Sequence, residues 1–283
     1  MVKKVAVIND LSGLGKCSLT AAIPVLSIMG VQACPLPTAV LSNQTDYESY
    51  YSVDYTEHID PYIEQWKKMN LTFDGIYTGY LGSEHQAEKI LNFINTFKND
   101  HSLLLVDPVM GDNGKTYDVN TEKFGEQMKK LVSRADIITP NLTELCILTD
   151  TDYEELTACA DSSRYLNAIA IIAKPLLKTG IKTIIITGIL YKAPTDEKEK
   201  YYNLILEGDT VSVIASEIHG ESYSGTGDLL ASAVCAGIVR GDGTAESLKR
   251  ALNFIETALI ETQKEKIPRN DGINFEPYLK MLI

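Results

Sequence analysis

Apolar residues in this chain gather into short runs divided by polar and glycine-containing stretches, and the length of each run predicts its conformation. Val5-Ala6-Val7-Ile8, Gly75-Ile76-Tyr77-Thr78, Leu103-Leu104-Leu105-Val106 and Thr183-Ile184-Ile185-Ile186-Thr187-Gly188 are mostly apolar or β-branched and too short for helices, and Ala135-Asp136-Ile137-Ile138 leads in the same way into polar residues. They predict strands covered on both faces, as in a parallel sheet, with the polar residues that follow them ending the strand in a turn. Residues 31–36 predict another strand, and Pro35 and Pro37 point to an exit or an edge because proline donates nothing to a ladder. Between these runs, residues 17–29, 59–69, 84–97, 164–178 and 245–262 predict helices; Pro175 kinks or ends the fourth, and the last is amphipathic. The alternation predicts an α/β fold, a mostly parallel central sheet flanked by helices, forming one domain over residues 1–283. Late in the chain the pattern changes, and residues 201–206 and 211–215 around Glu207-Gly208-Asp209-Thr210 predict an antiparallel hairpin.

Residues 229–238 are nearly all small or apolar and predict a buried helix starting near Gly227, directly after Ser224-Gly225-Thr226-Gly227-Asp228. Such a start presents unpaired N–H groups and about half a positive charge, which favours a phosphate or a developing oxyanion. Asp228 in that turn either stabilises the helix or serves as a general base where a phosphoryl group arrives.

The other polar clusters follow apolar β-runs, the end at which parallel sheets collect ligand-binding loops. The stretch Gly13-Leu14-Gly15-Lys16-Cys17-Ser18 begins like a P-loop, but Asp10 stands where the first glycine belongs and Cys17 where the magnesium-binding hydroxyl belongs. Ser42-Asn43-Gln44-Thr45-Asp46-Tyr47, with Tyr50, Tyr51 and Tyr55 beyond it, predicts either a lid over a flat ring or a solvated loop. Asp107 and Asp112 can address a metal-bound phosphate from two directions, or one of them can cap a turn. Asn141 and Glu144 have capping-box spacing and equally aim an amide and a carboxylate at one magnesium site. Their common edge favours phosphoryl transfer, whose chemistry needs positioning, charge stabilisation, a metal and a base.

Composition narrows the partners. The formal net charge of −12 argues against binding nucleic acid or an anionic membrane, while leaving room for a local anion site. Cys17, Cys34, Cys146, Cys159 and Cys235 are scattered and lack CxxC spacing, so neither disulfides nor zinc are expected, and a reducing cytoplasm fits. The N-terminal apolar run is short and broken by Asn9 and Asp10, so neither export nor membrane insertion is expected.

Taken in order, Ser42-Asn43-Gln44-Thr45, Thr78-Gly79-Tyr80-Leu81-Gly82, Asp107-Pro108-Val109-Met110-Gly111-Asp112, Thr139-Pro140-Asn141-Leu142-Thr143-Glu144 and Gly225-Thr226-Gly227-Asp228 resemble the pyridoxal kinases of the ribokinase-like superfamily. The resemblance runs from residue 5 to about 260. The last element is shared with sugar, nucleoside and hydroxymethylpyrimidine kinases, while the others narrow it to the vitamin B6 branch. It implies a homodimeric enzyme that moves the γ-phosphate of ATP to the 5′-hydroxyl of pyridoxal, pyridoxine or pyridoxamine. By that resemblance Asp228 is the base, and Gly225, Thr226 and Gly227 form the anion hole. Asp107, Asn141 and Glu144 hold Mg2+, directly or through water. Asp112, Thr139, Asn141, Thr187, Gly188 and Thr226 serve ATP, and Asp10, Ser12, Asn43, Thr45 and Tyr80 serve the vitamer; a monovalent-cation requirement stays open. The chain departs from the family at Gln44, where histidine is frequent, and at its first loop, where Gly13 and Gly15 look more like the hydroxymethylpyrimidine kinases. A kinase for hydroxymethylpyrimidine is therefore the alternative, with a non-catalytic nucleotide or vitamer binder as a third reading.

Overall fold

In the computed structural model, which describes residues 2–160, 163–220 and 222–283, the chain divides into two units, Met1–Leu104 with His219–Ile283, and Leu105–Ile218. The first unit opens with β1, Lys3–Ser12, then α1, Ser18–Ile28, and β2, Val31–Leu41. It continues through β3, Ser52–Asp54, α2, Thr56–Lys68, β4, Gly75–Thr78, and α3, Glu84–Phe97. Strand order here is β4-β1-β2-β3, with β1 parallel to both β4 and β2 and only β3 antiparallel. Val5 through Ile8 have no exposed surface, which is why this strand carries no polar alternation. Pro35 and Pro37 sit where β2 has no second partner, since β3 pairs only with residues 39–41, so their missing donors cost no ladder bond.

One expectation changes here. Asn9, Asp10, Leu11 and Ser12 were expected in a turn, yet β1 runs on to Ser12. An irregularity between Asn9 and Leu11 lets the ladder resume as Leu11↔Val40 and Ser12↔Leu41, so two polar candidates end up on a strand.

The second unit begins within β5, Leu103–Val106, and adds the small antiparallel pair β6, Gly111–Asp112, and β7, Lys115–Thr116. Next come α4, Glu122–Val132, β8, Ile137–Ile138, α5, Leu142–Thr149, α6, Tyr153–Thr157, and α7, Tyr165–Leu177. It ends in β9, Thr183–Tyr191, β10, Lys200–Glu207, and β11, Thr210–Ser216. β5, β8 and β9 are parallel, and β9, β10 and β11 form an antiparallel meander, so the predicted late hairpin is present. The residues Thr187 and Gly188, expected at a strand exit, lie inside β9, because pairing with β10 carries that strand on to Tyr191.

The chain then returns to the first unit with α8, Thr226–Arg240, and α9, Thr244–Lys264. α8 packs between α1 and α9 and buries every residue from Leu229 to Gly237, matching the apolar run that predicted it. Among the described residues no helix is long and apolar enough to cross a membrane.

Candidate active site

Each unit carries one cluster of the predicted residues. In the first, Gly225 precedes α8 with φ of +81°, the left-handed region that favours glycine. Its Cα also leaves no room, since a Cβ there would lie 2.2 Å from the Lys16 carbonyl oxygen. Gly227 is different: its φ is not positive and a Cβ would meet nothing within 4 Å. The space beside Gly227 is thus open, and no side chain caps the helix start. The Thr226 hydroxyl donates to the Tyr223 carbonyl at 3.2 Å, so it is the backbone N–H groups of the first turn that an anion could meet.

Asp228 is the third residue of α8. Its Oδ1 accepts from Asn9 Nδ2 at 3.0 Å, and the Ser18 N–H and the Tyr77 hydroxyl lie close enough to favour the ionised carboxylate. Burial pushes its pKa up to about 6, with Asp10 adding to the rise, against the lowering effect of those donors. A carboxyl group titrating near neutrality matches general-base work. Cys17 lies close by, but burial, Asp228 and Asp10 push its thiol up to about 12, so it stays protonated.

Asp10 and Ser12 meet on β1. Ser12 donates to Asp10 Oδ2 at 2.8 Å, Ser18 donates to Oδ1, and burial raises the Asp10 carboxyl above its usual range. Tyr80 stands near them, its hydroxyl pushed up to about 12 by burial, then Asp10, Tyr50 and Asp54. Asn43 is turned inward on its own loop, accepting from the Ser42 hydroxyl at 2.6 Å and donating to the Ser49 carbonyl at 2.9 Å. Thr45 is exposed on the same loop.

Two residues outside the predicted set join these parts. Asn9 links Asp228 to β1, a place signalled only by a polar residue directly after four apolar ones. Gln44 is buried and donates to the Ser224 hydroxyl and the Asn270 carbonyl, each at 3.3 Å, tying residues 42–47 to the turn before α8. Its departure from the frequent histidine was the visible signal.

In the second unit, Thr139 donates to Asp107 Oδ1 at 2.8 Å. Asn141 caps α5 in a complete capping box: its Oδ1 accepts from the Glu144 N–H, and Glu144 Oε2 accepts from the Asn141 N–H, each at 2.9 Å. Glu144 Oε1 accepts from the Met110 N–H at 3.3 Å, and Asn141 Nδ2 donates to the Gly111 carbonyl at 2.8 Å. Both side chains therefore shape residues 107–112. Burial and the neighbouring Asp107 hold the Glu144 carboxyl well above the usual carboxylate range, with Asp112 contributing. Asp112 accepts from the Asn113 N–H at 2.9 Å. Thr187 bridges to Asn141 and donates its N–H to the Pro140 carbonyl at 3.0 Å, which puts it beside Thr139 and Asn141; Gly188 donates to Asn203 Oδ1 at 3.2 Å. Among the described residues no three His, Cys, Asp or Glu side chains enclose a metal by themselves. The mutual repulsion of Asp107, Asp112 and Glu144 is what a divalent cation relieves, and magnesium takes only one or two protein carboxylates alongside phosphates and water.

Residues 17–272 match the phosphomethylpyrimidine kinase family. A crystal structure of a putative phosphomethylpyrimidine kinase from Bacteroides thetaiotaomicron, in a form with pyridoxal, is 38% identical, with a TM-score of 0.90 over 100% of this chain and 96% of that one. A pyridoxal kinase from Pasteurella multocida is 28% identical over 249 residues, 85% of this chain and 82% of the relative. The Leishmania donovani pyridoxal kinase solved with ADP and pyridoxamine shares the fold, with 22% identity and a TM-score of 0.80 over 99% and 95% of the two chains.

Proposed function

The chain belongs to the phosphomethylpyrimidine kinase family, and on that premise we propose that it moves the γ-phosphoryl group of ATP to the 5′-hydroxyl of a vitamin B6 vitamer. The observation that carries this reading is Asp228, a half-buried carboxyl whose pKa is pushed up to about 6, in the first turn of an uncapped, glycine-preceded helix. The pyridoxal in the Bacteroides structure supports the acceptor class, and the ADP in the Leishmania enzyme supports the donor.

In this mechanism Asp228 receives the proton of the acceptor hydroxyl, and the N–H groups from Gly225 to Asp228 hold the charge that develops on the transferred group. Asp10, Ser12, Asn43, Thr45 and Tyr80 bind the ring, with Asn43 acting through the shape of its loop. Magnesium, when bound, neutralises the phosphate oxygens. Asp107, Asn141 and Glu144 would hold it, directly or through water. Asp112, Thr139, Thr187, Gly188 and Thr226 line the nucleotide. The same reading carries a cytoplasmic homodimer acting as one kinase domain over residues 1–283.

A second reading, phosphorylation of hydroxymethylpyrimidine, is favoured by the description of the matching family and by the glycine pattern of the first loop. ADP release from magnesium-ATP decides between them, with pyridoxal, pyridoxine, pyridoxamine and hydroxymethylpyrimidine compared at matched concentrations. Stimulation by a B6 vitamer is expected. Stimulation by hydroxymethylpyrimidine alone would reassign the acceptor, and none by any would return the binder reading.

A further inference from the structure

We propose that Asn9 is the positioning residue that turns Asp228 away from its own helix and couples it to the ring-facing residues Asp10 and Tyr80. The inference rests on reading Asp228 as the base. Asn9 has no exposed surface, and both ends of its amide are committed. Its Oδ1 accepts from the Asp10 N–H at 3.0 Å and the Tyr80 N–H at 2.8 Å, while Nδ2 donates to Asp228 Oδ1 at 3.0 Å. Two backbone donors facing one end of the amide require the oxygen there, so the NH2 end must face the carboxylate. Only an amide serves all three partners: a carboxylate would lack the donor, and an apolar side chain would strand two buried N–H groups.

The backbone is shaped around this side chain. A Cβ on Gly79 would lie 2.3 Å from Asn9 Nδ2, so the turn after β4 closes directly onto the amide. The irregularity in β1 begins at Asn9, and such irregularities re-aim a side chain relative to the regular ladder. Asp10, Cys17 and Tyr77 are the titratable groups facing Asp228, with the Ser18 N–H beside them. Cys17 stays a thiol, so Asn9, Ser18 and Tyr77 are the donors that oppose burial and the Asp10 charge.

The test is the pH profile of kcat in Asn9→Asp and Asn9→Ser. Asn9→Asp keeps an oxygen for the Asp10 and Tyr80 N–H groups, Asn9→Ser leaves only a shorter hydroxyl with room for a water, and both lose the amide donor to Asp228. Losing the donor, and in Asn9→Asp adding a negative charge, disfavours the ionised form of Asp228. The acid limb should therefore move to higher pH, by about one unit or more in Asn9→Asp and less in Asn9→Ser, with the KM for ATP changed by less than about twofold. The double variant Asn9→Asp with Asp228→Asn restores a donor–acceptor pair, so it should regain the urea midpoint lost in Asn9→Asp without regaining turnover. An unmoved acid limb in the folded variants overturns the proposal, and Asn9→Ser decides if Asn9→Asp does not fold. Asp228→Asn alone separates the two readings. Wild-type turnover there removes the base itself, whereas lost turnover with an unmoved limb in the Asn9 variants removes only the role of Asn9.

Discussion

Glu144 in α5 and Asp228 in α8 are each the third residue of a helix and each a carboxylate drawn out of full solvent exposure, Glu144 buried and Asp228 half-buried. Burial raises the pKa of both. Glu144 reaches back to the N–H of its own N-cap residue and closes the helix start. Asp228 has a side chain one methylene shorter, stands in a helix preceded by the left-handed Gly225, and is held by Asn9 from β1 while its own helix start stays open. The same position in a helix thus yields a cap in one unit and a candidate base beside an anion cradle in the other. What separates them is which elements supply the donors.

Asp228→Asn should break this contrast most severely, lowering turnover by about 100-fold or more while ATP binding persists, as measured by steady-state kinetics and nucleotide titration. Unchanged turnover would make Asp228 a helix residue like Glu144.

Next in size is Gly225→Ala. Left-handed backbone and a Cβ 2.2 Å from the Lys16 carbonyl should cost about 2 kcal/mol or more of stability, read from urea unfolding. Gly227→Ala should leave stability within about 0.5 kcal/mol, because its backbone is unstrained and the space is empty, yet lower kcat by putting a methyl where the phosphate would sit. Equal stability losses at the two positions would show that the open space has no special role.

Glu144→Gln should raise the magnesium concentration needed for half-maximal rate, with turnover at saturating magnesium reduced less than about tenfold. An unchanged magnesium requirement would confine Glu144 to capping.

The smallest effect concerns pH. Asp228 binds its proton more tightly folded than unfolded, so its contribution to stability is fully present below about 4 and is lost as pH rises through about 6. Turnover should rise over that same interval, because the base works when ionised. In Asp228→Asn this part of the opposition between stability and activity should vanish, which paired melting and rate measurements across pH 4 to 8 would detect.

Much of the fold was legible because local signals agreed with tertiary demand. The strands Gly75–Thr78 and Leu103–Val106 and the helix Glu84–Phe97 have the bounds expected of them, each mainly apolar where it is buried and, for the helix, capped by Ser83. Other elements went unpredicted. α4 is among them, although Phe124, Met128 and Leu131 at i, i+4 and i+7 behind the Thr121 cap carry a legible helical period. The three-residue β3 and two-residue β6 and β7 are too short to show any period, and exist because a partner strand offers hydrogen bonds.

By itself the sequence determined the α/β class, the apolar strands, the buried helix at 229–238 and the placing of polar residues after β-runs, because these follow from hydrophobic period and turn chemistry within a few residues. The turn of Glu144 back on Asn141 was already signalled by their spacing, whereas tertiary structure alone decided that β1 continues through Asp10 and Ser12 and that Asn9 reaches Asp228 across 219 positions of chain. Those outcomes depend on which buried donor finds which acceptor once the backbone has closed, and a linear pattern carries no record of that choice.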